Sequence, residues 1–111
     1  MEIHFTARHF RAHPSIKEHA VETVKKLGKF FDGIRRCDII LNYERSVNSL
    51  KIAEICLHVN RTLLTAVEES DDFHKSIEVA IDKLERQLET YKSKLRSKNK
   101  KKLLRAKAKI V

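Results

Sequence analysis

Apolar and polar residues change rhythm three times along this chain, between a beat of two and a beat of three and four. The order of those changes predicts strand, helix, three strands, helix. Ile3, Phe5 and Ala7 alternate with His4, Thr6 and Arg8, the pattern of a half-buried strand. Pro14 stands where a first helical turn tolerates proline, and Ile16, Ala20, Val24, Leu27 and Phe31 then recur at helical spacing. Gly33 is expected to end that helix. Residues 37–43 return to β-branched content, and Ala53, Ile55, Leu57 and Val59 alternate with Glu54, Cys56 and His58, which predicts strands two and three. Asn60-Arg61 reads as a tight hairpin into a fourth strand over 62–67, although the usual glycine after the asparagine is missing. Ser70, Asp71 and Asp72 offer capping oxygens before a long periodic run, Phe73, Ile77, Ala80 or Ile81, Leu84, Leu88, Tyr91 and Leu95. The fold class expected is α+β, with two helices packed on one face of a four-stranded sheet in the order β-α-β-β-β-α.

Charge changes this picture at one end only. The last 21 residues, Tyr91 to Val111, hold ten Lys or Arg and no acid, while the rest carries 14 basic and 15 acidic residues. The net charge of +9 therefore belongs to one pole, an electrostatic footprint for phosphate-rich partners. At 111 residues a single core is expected, with 1–96 as its domain and 97–111 as a basic tail, either a helix extension or disordered.

Helix two sorts its polar residues by sign. At about 100° per residue, with Lys83 as zero, the apolar side chains centre near +110°, and Glu78, Asp82, Glu85 and Glu89 near −130°. Lys83, Gln87, Thr90, Lys94, Lys98 and Lys101 fall within about 60° of zero. A merely solvated helix tends to mix signs at i, i+4, where each pair adds about 0.2–0.5 kcal/mol; Asp82 and Arg86 are expected to form one such pair. A segregated basic stripe suits a row of backbone phosphates, with Arg86 able to make a two-pronged contact. Acids early and bases late also complement the helix dipole, which is the bland reading of the same pattern. Lys25, Lys26 and Lys29 of helix one lie away from its apolar stripe and are expected to border one groove with the helix-two stripe.

Catalytic constellations are not found. The six histidines match no metal-binding spacing, the two glycines form no phosphate-cradling loop, and Ser46, Ser49 and Ser70 lack a His and an acid at any recognisable offset. Asp71 and Asp72 read as caps, His58 as a polar strand residue, and Cys37 and Cys56 as buried small hydrophobes. No cofactor, metal or enzymatic activity is expected. With no secretory signal and no apolar run of membrane-spanning length, a cytoplasmic location without membrane contact is expected.

The run from Asp72-Phe73-His74 through Ile81-Asp82-Lys83-Leu84-Glu85-Arg86-Gln87-Leu88 to Tyr91-Lys92-Ser93-Lys94-Leu95 resembles the C-terminal helix of the ribosome hibernation-promoting factor and ribosome-associated inhibitor family. Lys26-Leu27-Gly28-Lys29-Phe30-Phe31 and Leu57-His58-Val59-Asn60 are similar to its other landmarks. The resemblance spans about residues 1–96 and points to a short form. It implies a fold like a double-stranded-RNA-binding domain, seated on the small ribosomal subunit in the mRNA and A- and P-site tRNA channel, inhibiting translation by occlusion in stress or stationary phase.

Carried over by position, Lys26, Lys29, Lys83, Arg86, Lys92 and Lys94 would contact rRNA phosphates; the exposed face of helix one adds Lys25, and the helix-two stripe adds Gln87 and Lys98. Thr90, Phe73-His74 and Arg61 depart from the family's usual Lys, Met-Tyr and hairpin Gly. The partners implied are the rRNA and nearby proteins of the small subunit, with a separate ribosome-dimerising factor as a further one, and a monomer when free. Two other readings stand beside this one: a general double-stranded-RNA-binding or RNA-chaperone module, and a protein-interaction regulator of transcription.

Overall fold

The computed structural model describes residues 1–44 and 49–95 in full, and the backbone of the last helix as far as residue 110. β1 (Glu2–Arg8), α1 (Pro14–Phe30), β2 (Ile34–Glu44), β3 (Leu50–Val59), β4 (Thr62–Ser70) and α2 (Phe73–Ile110) follow in the predicted order. The sheet runs β1-β2-β3-β4. Its first pair is parallel, so the chain must cross over between the two strands, and α1 is that crossover. The other pairs are antiparallel neighbours in sequence.

Local chemistry sets the ends of the helices. Pro14 opens α1, and the ring Nδ1 of His13 accepts the Ser15 N–H at 3.1 Å, satisfying a donor left over at the first turn. The helix stops at Phe30, before the expected glycine, because Phe31 leaves helical geometry at φ −145°. Gly33 has a steric role instead: a Cβ there would fall 2.6 Å from the Phe31 ring. Asp72 caps α2 by accepting the His74 N–H at 3.1 Å. Ser70 still belongs to β4, which runs past its predicted end because Glu68 and Glu69 pair with Ala53 and Ile52. Backbone pairing, not side-chain polarity, decides where that strand ends.

Period-two register places Cys37, Ile39, Leu41, Ala53, Ile55, Leu57, Val59 and Ala66 on one face, all buried. Ala20, Val24 and Leu27 of α1 and Phe73, Ile77, Ala80, Ile81, Leu84 and Leu88 of α2 close over it. Ser76 is buried with them and donates to the Lys51 carbonyl at 2.8 Å, tying α2 to β3. Phe10 stacks on Phe73 at 5.1 Å and seals the end of the core near Tyr43.

Among the described residues, no helix covers the other face of the sheet. There Arg36 donates to Asp38 at 2.8 Å, and the His58 ring lies 3.0 Å from the same carboxylate. Partial burial pushes the Asp38 carboxyl up, but the hydrogen bonds from Arg36 and His58 outweigh it and hold the group below its usual value. Cys56 also lies on this face and is only half-buried, which corrects the reading of both cysteines as core residues. Cys37 is enclosed, and burial, reinforced by the charge of Asp38, pushes its thiol up to about 12. At neutral pH it holds almost no reactive thiolate. Iodoacetamide is therefore expected to modify Cys56 in the folded protein and Cys37 only in denaturant, as read by mass spectrometry; equal labelling without denaturant would contradict the packing.

Candidate nucleic-acid interface

The apolar arc of α2 rests on the sheet, so its two polar flanks face opposite ways. The acidic flank turns toward α1, where Glu78, Asp82 and Glu85 line a cleft with Glu22, His19 and Lys26. The basic flank turns toward β4, where Arg86, Gln87, Thr90, Tyr91 and Lys94 line a second cleft with Thr62 and Leu64 and no acid. The single groove expected between the α1 lysines and the basic stripe is therefore not formed. Acids stand between them, because α1 packs against the acidic side of α2. Lys25 and Lys29 are exposed on α1, whereas Lys26 sits in the acidic cleft.

Members of the predicted set divide by what already holds them. Lys83 pairs with Glu68 of β4 across the helix–sheet seam. Gln87 donates to the Thr65 carbonyl at 3.0 Å, covering part of the edge strand. Lys92 reaches the other way: its ammonium donates to the Phe30 carbonyl at 2.7 Å and lies 4.2 Å from the Phe30 ring centroid. A cation at that place satisfies a final carbonyl of α1 and complements its dipole. Lys92→Ala is expected to destabilise the protein by about 1–2 kcal/mol in urea unfolding, a charged hydrogen bond plus a cation–π contact discounted for partial exposure.

Arg86 and Lys94 are exposed, and neither side chain has a protein partner among the described residues. The expected Asp82–Arg86 pair is absent there too, leaving the guanidinium fork uncommitted. The Lys98 side chain lies outside the described residues. Two cations that the helix pattern does not mark join this end: Arg35 and Arg61 line a further cleft with Asn60, Thr62 and Tyr91. They come from the start of β2 and from the β3–β4 turn, so only the placement of β4 alongside α2 brings them near the stripe.

The sequence of this chain matches a known family. Its model, described as sigma 54 modulation protein / S30EA ribosomal protein, fits residues 3–96. This chain belongs to that family. Within the S30EA family it is 33% identical over 96 residues to the ribosome hibernation promoting factor of Klebsiella oxytoca, covering 86% of this chain and 98% of that protein. The factor of Escherichia coli strain K12 is 29% identical over the same coverage. Among solved structures, a ribosomal subunit interface protein from Coxiella burnetii superimposes with a TM-score of 0.76 at 26% identity, over 84% of this chain and 99% of that one. The N-terminal domain of Thermus thermophilus protein Y, at 23% identity over 82% of this chain and 99% of its own, shares the fold with a TM-score of 0.72.

Proposed function

We propose that this chain is a ribosome hibernation factor that binds the small ribosomal subunit in the mRNA and tRNA channel and stops translation by occupying the A and P sites. The observation that carries the reading is the cleft beside the basic flank of α2, lined by no acid among the described residues, where Arg86 and Lys94 have no protein partner among those residues. Relatives named as hibernation promoting factors support the same reading. Occlusion asks for no bond-making chemistry. It asks for a rigid body and enough phosphate contacts to hold in cellular salt. The ties of α2 to the sheet through Ser76, Lys83 and Gln87, and to α1 through Lys92, supply the rigidity.

Co-sedimentation with purified bacterial small subunits across a salt series, with duplex RNA in excess as competitor, tests it. Saturable binding near one copy per subunit that survives the competitor is expected. Binding that generic duplex removes would replace it with a general RNA-binding module. Binding that survives nuclease would point to a protein partner.

A further inference from the structure

The β3–β4 turn and the start of β2 carry two arginines that the basic stripe of α2 does not include. We infer that Arg35, Arg61 and the Tyr91 hydroxyl form a second anchoring point for an RNA backbone, continuous with the α2 stripe, so that one strand runs from Lys94 and Arg86 onto the turn. The inference rests on the ribosome-binding reading and adds to it a place and three groups.

Arg35 is set apart by a break in the sheet. Ile34 pairs with Val59 and Arg36 with His58, so the register slips between them and leaves Arg35 as the extra residue. Alternation fails there: Ile34 and Cys37 are both buried, with two exposed arginines between them. A bulge of this kind re-aims a side chain. Here it frees Arg35 from the Asp38 carboxylate that takes up Arg36 and delivers it to the cleft that Arg61 shares.

The turn is fixed to the helix. Asn60 sits at φ 52°, a conformation asparagine tolerates, and its Nδ2 donates to the Tyr91 hydroxyl at 3.2 Å. That bond uses Tyr91 as an acceptor and leaves its O–H free to donate. The Tyr91 ring is held edge-on to Phe31, 5.7 Å away at 88°, and Gly33 leaves room for Phe31 to lie there. Arg61 is thereby carried at a set position relative to α2, which lowers the ordering cost of binding.

The cleft of about 550 Å³ is lined by no acid and shares Thr62 and Tyr91 with the cleft of the α2 stripe, so the two form one path. Two guanidinium forks and a neutral hydroxyl donor suit the non-bridging oxygens of consecutive phosphodiesters.

The test compares three proteins by co-sedimentation with small subunits from low to physiological salt: wild type, Arg35→Ala with Arg61→Ala, and Tyr91→Phe. Removing both arginines is expected to lower the magnitude of the salt slope by about 1.4–1.8, two contacts at about 0.7–0.9 each, with the melting temperature unchanged. Tyr91→Phe keeps the ring and is expected to weaken binding about three- to tenfold with no change in slope, as loss of a neutral hydrogen bond should. Wild-type slope and affinity in the double variant, while an Arg86→Glu with Lys94→Glu protein loses binding, would overturn this anchoring point and leave the function standing. Failure of the wild type to bind small subunits would overturn both.

Discussion

Reversing two charges, Arg86→Glu with Lys94→Glu, is expected to reduce affinity for the small subunit a hundredfold or more at physiological salt. Neutralising two phosphate contacts would by itself lower the salt slope by about 1.4–1.8. The new carboxylates add repulsion from the same phosphates. Both side chains are exposed and neither is paired within the described protein, so stability should move by no more than about 0.5 kcal/mol. Lys83 is the wrong partner for this experiment despite its place on the stripe. Lys83→Glu would set one carboxylate against Glu68, and lost seam stability would be mistaken for lost binding. Sedimentation with subunits, together with a thermal melt, checks the prediction; a folded double variant that binds like wild type would remove the stripe from the mechanism.

Leu84→Ala is expected to cost about 3–4 kcal/mol, read as a fall in the urea midpoint. Leu84 is fully buried where α2 meets the sheet, and leucine-to-alanine changes at such sites lose both transfer free energy and the contacts around the cavity left behind. Against a total stability of about 5–15 kcal/mol for a domain, that is enough to leave a sizeable fraction unfolded on warming. Leu95→Ala is the control, since Leu95 is 38% exposed and should cost well under half as much. Equal effects at the two positions would mean that α2 does not pack along the arc described.

The course of the fold was legible because each element buries a face at its own period. Ile39, Leu41, Ile55 and Leu57 announce strands, and Ile77, Ala80, Leu84 and Leu88 a helix, before any contact is known. The extent of β4 was not legible, since Glu68 and Glu69 look like loop residues and are held by pairing to β3. At the candidate interface, the sorting of α2 into acidic and basic flanks could be read from angle alone. Which flank α1 would cover could not, because that depends on the crossover geometry. Lys83 and Lys94 fall on one line in a helical projection, and only a carboxylate on β4 separates them; Lys92 projects from the opposite side, where a carbonyl at the end of α1 takes it up. Arg35 is hidden for a different reason, as a bulge is a misfit between two strands and neither strand records it alone.

The acidic cleft between α1 and α2 has a consequence for how the molecule arrives at a partner. With Glu22, Glu78, Asp82 and Glu85 on one side of a helix and Arg86 and Lys94 on the other, the body is electrically two-sided. Near any polyanion it experiences a torque as well as an attraction. Encounters with the carboxylates leading are turned away, and those with the arginines leading are drawn in. The face that repels thus acts as a compass, shortening the search for a single productive landing, and the association rate should fall with added salt more steeply than contact counting at the landing site would suggest.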